Sequence, residues 1–370
     1  MFSLVLFCIK ILKNCHKILI IIQRSNGDVL LSHRLISALH VYYQLSKIDM
    51  LVNDDTLPVA ELLPYVNIVH TFSYIKKRDE HWRQEANLIK KIYRKYDLCI
   101  NLTASDRSVI YALLASKNSI SAIENNNKKS WWKKIFLTHY YYFNTNKHIL
   151  YNNLQPLKKL NISSDEAGDL PIFNQHAIDK VNIMLNKLDI KEFIVFHPSA
   201  QYDYKIYPKH LRDQLLNLLN TLGIPIIVTG ADNKFDVEIK ENLPLLSNIH
   251  NFIGRTTLEE YFALSYLSVA YIGMDTLNMH IAAIQNKRIF AIFGPTNLKM
   301  WAPWSNSFNI ATNENKPLQT YGNVTIFQSA LPCVACGNSG CDNNGGRSEC
   351  LFTINPHDIM SEVVAWYENV

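Results

Sequence analysis

The chain has no long apolar run. Its first residues, "MFSLVLFCIKILKNCHK", break at Lys10, well short of a bilayer-spanning helix. No charged segment precedes that run and no small-residue cleavage site follows it, which excludes a secretory signal. Residues 1–16 read instead as a leader. As a helix it would gather Phe2, Val5, Leu6, Ile9 and Leu12 on one face suited to resting on a bilayer, and a leader without ordered structure fits equally. Two phosphate fingerprints are also missing, G-x-x-x-x-G-K-[ST] and G-x-G-x-x-G, which argues against P-loop NTPases and NAD enzymes. No basic stripe runs through the strand patterns, so nucleic-acid binding is not expected. These absences point to a cytoplasmic protein, with adsorption to a membrane surface left open.

What is present describes a globular chain. Hydrophobic residues make up 48% and charged residues 19%. At 370 residues the chain suits two domains rather than one core. The net charge of +5 is mild but uneven. Between residues 121 and 150, "KKSWWKKIFLTHYYYF" interleaves lysines with aromatics, a composition that favours an anionic surface, either membrane headgroups or a phosphorylated glycolipid. A solvated helix with its aromatics facing the core accounts for the same stretch.

Short apolar runs alternate with amphipathic segments. Strands are expected at 17–23, 47–53, 66–72, 96–102 and 119–123, then, after a polar stretch near 161–175, at 193–199, 224–230, 269–274 and 288–294. Helices are expected from Asp28 and near 208–222, 257–267, 276–286 and 356–368, with a capping box from Thr257 to Glu260 and a cap at Asn355 before Pro356. Continuous Val/Ile/Leu runs suit strands covered on both faces by crossover helices. The expected fold is α/β, with two Rossmann-like, doubly wound parallel-sheet domains facing a central cleft. An N-terminal domain would span 17–172. A C-terminal domain would span 173–370, with a Cys-rich tail at 331–352 and a final helix.

In such sheets ligands bind beyond the C-terminal strand ends. Four loops there carry unusual chemistry: "RSNGDVL" with Asp28, "HPSAQYDYK" with Ser199 and Lys205, "TGADNK", and "GMDTLNMH" with Asp275, Thr276 and His280. Helix capping explains Asp28, Asp275 and Thr276 one at a time, Lys205 is ordinarily a solvated charge, and His280 is ordinarily a core histidine. Together, a cation, hydroxyls and a helix N-terminus are what a diphosphate needs. Asp28, on the other domain, would face that site and take a proton from an incoming hydroxyl.

In this order "KILIIIQRSNGDVLLSHRLISAL", "FHPSAQYDYKIYP", "NFIGRTTLEEYFAL", "GMDTLNMHIAA" and "FGPTNLKMWAPW" resemble glycosyltransferase family 9, the family of the ADP-heptose:lipopolysaccharide heptosyltransferases, from about Lys17 to the C-terminus. The resemblance implies a GT-B fold and an inverting transfer with no cofactor or metal for catalysis. It implies ADP-heptose as donor and an acceptor in the inner core of lipopolysaccharide or lipooligosaccharide, reached at the cytoplasmic face of the inner membrane. It implies that Asp28 is the general base and that Lys205 binds the diphosphate and acts in catalysis. Ser199, Asp275, Thr276 and His280 are implied to complete the nucleotide-sugar site. Two positions depart from the family pattern. Leu277 stands where the family has Gly after Asp-Thr, and Lys234 stands where an acid often holds the ribose. They keep open a GT-B transferase of another nucleotide sugar, a hexose or N-acetylhexosamine. They also keep open an inactive glycan-binding paralogue.

Four cysteines are clustered, Cys333, Cys336, Cys341 and Cys350, spaced C-x2-C-x4-C-x8-C in a Gly/Asn-rich tail. In a cytosolic chain this spacing suits a structural zinc stapling the tail, with free or redox-labile thiols as the other reading. Neither reading gives the cluster a part in the chemistry.

Overall fold

The computed structural model describes residues 15–75, 81–163 and 173–369. Residues 1–14 of the expected leader lie outside the described residues. The chain divides into two compact units, Met1–Leu170 and Pro171–Val370. The segment around the expected boundary at 172/173, residues 164–172, also lies outside the described residues.

In the first unit six strands form one sheet: β1 (Lys17–Ile22), β2 (Lys47–Asn53), β3 (Val66–Phe72), β4 (Leu98–Asn101), β5 (Ser119–Ile123) and β6 (His139–Tyr142). Their spatial order is β3-β2-β1-β4-β5-β6 and every pairing is parallel. The reason is visible in β1, where Ile18 through Ile22 are all fully buried. A strand apolar at every position needs a helical layer on both faces, and such a layer is what parallel crossovers supply. Each buried aliphatic side chain of this kind contributes about 1.5–3 kcal/mol. By contrast β3 lies at the sheet edge, and several of its residues are exposed. The "VNIVHTF" run alternates less buried positions because one side of that strand has no neighbour.

The second unit contains β7 (Ile194–His197), β8 (Ile226–Val228), β9 (Ile249–Asn251), β10 (Ala270–Met274), β11 (Arg288–Ile292), β12 (Leu318–Tyr321) and β13 (Val324–Phe327). They are ordered β12-β13-β11-β10-β7-β8-β9, parallel except for the terminal β12–β13 hairpin. Its core joins Phe196, Ile226, Ile272, Phe290 and Phe327 to Ile359 and Val363 of the last helix.

Helix starts follow side-chain chemistry. Ser105, Asn126, Asn174, Asn233, Thr257 and Asn355 each accept a bond from a backbone N–H of the first turn. Glu260 reaches back to the Thr257 N–H and completes the capping box. The helix from Asp28 differs from expectation. The stretch forms two pieces, Asn26–Leu30 and His33–Tyr42, and the first begins at Ser25, so Asp28 lies inside its first turn rather than before it. Among the described residues no helix is long and apolar enough to cross a membrane.

Candidate functional site

In the second unit the loops after β7, β10 and β11 stand beside one another because those strands are neighbours in the sheet. Gly273 sets how close β10 and β7 come. A Cβ there would lie 2.4 Å from the His197 carbonyl oxygen and 2.8 Å from the Tyr271 hydroxyl. No other residue fits that approach.

From this junction Asp275 emerges, largely buried, and meets Lys205 from the turn Asp203–Lys205. Lys205 Nζ lies 3.2 Å from Asp275 Oδ2. Burial works against the Lys205 charge, but the Asp275 carboxylate outweighs it and holds the ammonium above its ordinary pKa. Lys205 is therefore a fixed cation with an exposed edge, joined to a residue 70 positions away.

Thr276 is the N-cap of the helix Leu277–Ile284 by position, yet its side chain makes no capping bond. The helix N-terminus is thus left without the usual side-chain partner. One turn later His280 is 4% exposed, and its Nδ1 has no hydrogen-bond partner. Burial lowers its pKa to about 4, against the pull of Asp275, so the ring is neutral at pH 7. Ser199 is buried in the loop after β7, and among the described residues no hydrogen bond ties it to Lys205 or Asp275. The structure therefore brings Lys205 and Asp275 together directly, sets Thr276 and His280 on the adjoining helix turn, and leaves Ser199 on the neighbouring loop.

Three residues of this unit have roles that sequence patterns did not reveal. His197, at the end of β7, has Nδ1 3.1 Å from both Thr229 Oγ1 and Asn278 Nδ2, and burial lowers its pKa to about 4. Thr296, in the loop after β11, buries a hydroxyl without a partner. Asp236 is a buried acid in the first turn of the helix that begins at Lys234. Lys234 itself is exposed at the first position of the helix Lys234–Glu241. Asp236 Oδ2 accepts from the Ala231 N–H at 2.8 Å and from the Asn233 side chain, and Oδ1 is buried without a partner. Leu277, half-buried, occupies the first position of its helix.

In the first unit Asp28 is 2% exposed. Its Oδ1 accepts from Arg24 Nε at 2.8 Å. Its Oδ2 accepts from the Ser25 hydroxyl at 2.6 Å and the Ser25 N–H at 3.2 Å. Burial raises the Asp28 pKa above the usual carboxylate value, with Arg24 and then Ser25 opposing it. Ser25 is exposed, so the carboxylate sits one layer beneath the surface with a hydroxyl above it. The Arg24 guanidinium also lies over the Phe143 ring, 4.7 Å from its centroid. Next to this turn Gln23 follows β1, its N–H given to Thr103 Oγ1 at 2.9 Å, and both of its side-chain amide atoms are buried without partners. Strand periodicity marked Gln23 only as the last residue of an apolar run.

The four cysteines of the tail come near one another: burial raises the Cys350 thiol, and Cys341, Cys336 and Cys333 add to the rise. Cys333, Cys336 and Cys341 are exposed, Cys350 is buried, and all four are free thiols. Among the described residues no three His, Cys, Asp or Glu side chains gather as metal ligands. The tail is turned by its own hydrogen bonds. Asp342 Oδ1 accepts from the Asn344 and Gly346 N–H groups, and the Cys341 sulfur accepts from the Glu349 N–H at 3.3 Å.

Residues 85–330 match the family model described as glycosyltransferase family 9 (heptosyltransferase). The chain is 28% identical over 299 residues to lipopolysaccharide heptosyltransferase 3 of Escherichia coli K12, covering 76% of this chain and 84% of that protein. It is 24% identical over 379 residues to lipooligosaccharide heptosyltransferase 2 of Haemophilus influenzae, covering 94% of this chain and 98% of that protein. Among solved structures, the E. coli ADP-heptose lipopolysaccharide heptosyltransferase II superposes with a TM-score of 0.67 at 18% identity, over 96% of this chain and 100% of that one. The fold is GT-B, two Rossmann-like α/β units.

Proposed function

We propose that this chain, which belongs to glycosyltransferase family 9, moves a heptose from ADP-heptose to the inner core of lipopolysaccharide or lipooligosaccharide. The observation that carries the reading is the Lys205–Asp275 pair beside an uncapped helix N-terminus, in a chain whose relatives are named as heptosyltransferases. A fixed ammonium and free backbone N–H groups suit the diphosphate of a sugar nucleotide.

In this reading the reaction is a single inverting displacement. The acceptor hydroxyl oxygen bonds to the anomeric carbon while that carbon's bond to the β-phosphate oxygen breaks, and ADP leaves. Asp28 takes the hydroxyl proton. Its raised pKa makes it a stronger base than an ordinary carboxylate. To act it exchanges the Ser25 hydroxyl for that of the acceptor, while Arg24 keeps Oδ1 oriented. Lys205, Ser199, Thr276 and the helix N-terminus stabilise the charge collecting on the diphosphate, so the reading requires no divalent ion. Asp275 orients Lys205, and neutral His280 offers its unpartnered Nδ1 to the nucleotide sugar.

A second reading rests on Leu277, whose side chain stands where the family has Gly, and assigns a hexose or N-acetylhexosamine donor instead. One experiment separates them. The protein is incubated with ADP-heptose, or with UDP-hexose or UDP-N-acetylhexosamine, and with core-truncated lipopolysaccharides, and the products are weighed. A heptose mass increment from ADP-heptose alone supports the proposal. A hexose or N-acetylhexosamine increment replaces it with the second reading, and no increment from any donor favours an inactive glycan-binding paralogue.

A further inference from the structure

The helix Asn127–Phe136 has two unlike faces. Inward, Ser130 and Lys133 are buried, and Leu137, just past its end, packs with Val109 and Ile123. Lys133 is fully buried and closes ion pairs with Asp106 at 2.7 Å and Glu124 at 2.6 Å, and its Nζ also donates to the Ala104 carbonyl. The Asn126 side chain caps the first turn. The helix is therefore pinned to its unit, and its outward face is held in a fixed orientation.

That outward face is apolar where a solvated helix would be polar. Trp131 is 60% exposed, Ile135 66% and Phe136 65%, three large side chains within two turns. Exposed lysines accompany them, Lys128 and Lys129, with half-exposed Lys134 alongside. The helix carries four lysines and no acid. Because buried Lys133 is neutralised by Asp106 and Glu124, the other three charges are left to the surface. Lys134 holds its ammonium 5.3 Å from the centroid of the Tyr142 ring, itself exposed.

We infer that this face docks the protein on an anionic lipid bilayer. Tryptophan and phenylalanine gain most at the boundary between headgroups and acyl chains, and lysines around them meet lipid phosphates. Neither term alone holds a protein on a membrane, whereas their coincidence on one rigid helix does. A second copy of the chain fits less well, since a symmetric contact would set three lysines against three lysines. A surface of this kind suits an enzyme whose acceptor is borne on a lipid. None of the residues assigned to transfer lies on this helix.

The test is co-sedimentation of the full chain with phosphatidylcholine vesicles, with and without phosphatidylglycerol, at low and high salt. The expected result is binding that requires phosphatidylglycerol and weakens with salt. Lys128→Glu with Lys129→Glu should lower partitioning by about fivefold or more for each charge altered. Trp131→Ser with Ile135→Ser and Phe136→Ser should lower it by on the order of tenfold or more. The lysine pair points to solvent, so those variants keep the fold, which a thermal melt verifies. Binding that ignores the anionic lipid, survives both sets of changes, or is absent at low salt overturns the inference. So does a dimer, seen by sedimentation velocity without lipid, that the apolar triple variant dissolves. No sugar substrate enters the assay, so its failure leaves the transferase reading untouched.

Discussion

Each unit holds a buried carboxylate at a strand end, and each carboxylate is paired with a partly exposed cation. Asp28 meets Arg24 at 2.8 Å, and Asp275 meets Lys205 at 3.2 Å. The pairs differ in how they are built. Arg24 and Asp28 are four residues apart on one turn, with Ser25 between them, so the first pair assembles from local chain. Lys205 and Asp275 come from different strand loops, so the second pair exists only when the sheet is formed. The charges differ as well. Burial leaves Asp28 with a raised pKa despite Arg24, whereas the second pair favours the charged lysine. One pair is thus suited to accepting a proton and the other to holding a fixed positive charge.

The sharpest way to break the comparison is Asp28→Asn, which keeps the shape and removes the base. Transfer should fall by about 10²–10⁴, measured as product formed per time at saturating donor. Next in size, Lys205→Ala should lower turnover by about 10²–10³ and weaken ADP affinity in calorimetry. Unchanged ADP affinity would remove Lys205 from the diphosphate site.

The pH dependence distinguishes the pairs further. Asp28 must be ionised to act, so transfer should decline on acidification at a pH above the ordinary carboxylate range. Stability runs the other way. A carboxyl whose folded pKa lies above its unfolded value favours folding most when protonated, and that advantage is lost as pH rises through the folded value. Asp28→Asn imitates the protonated form, so its melting temperature should match the wild type in acid and exceed it near neutrality. Equal melting at every pH would show that burial does not govern this group. The smallest expected effect is Ser25→Ala, which removes one hydroxyl from Asp28 and should cost about 0.5–2 kcal/mol of stability, with transfer reduced less than in Asp28→Asn.

The fold was legible because buried parallel strands repeat apolar residues at every position, as β1 does from Ile18 to Ile22. β6, β9, β12 and β13 were not foreseen. Each spans only three or four residues, and "HYYY" or "LQTY" carries no continuous apolar run. At the site, the loops with Asp28, Lys205 and Asp275 stood out by composition, but which of their groups touch did not. Seventy residues separate Lys205 from Asp275, and no local spacing encodes that contact. Asp236 escaped notice because an acid two positions inside a helix looks like ordinary first-turn chemistry. Gln23 did so because its significance lies in having no partner, a property only packing reveals. For the cysteines, spacing marked the cluster, and the fold brings Cys333, Cys336 and Cys341 near Cys350.

The division of labour between the carboxylates can be read in one calorimetric experiment on two variants. ADP affinity is measured for Asp28→Asn and Asp275→Asn against the wild type, with transfer rates taken on the same preparations. The account predicts that Asp28→Asn binds ADP as tightly as the wild type while transferring almost nothing, and that Asp275→Asn, having released Lys205, binds ADP more weakly. An Asp28→Asn protein that transfers at the wild-type rate would contradict it.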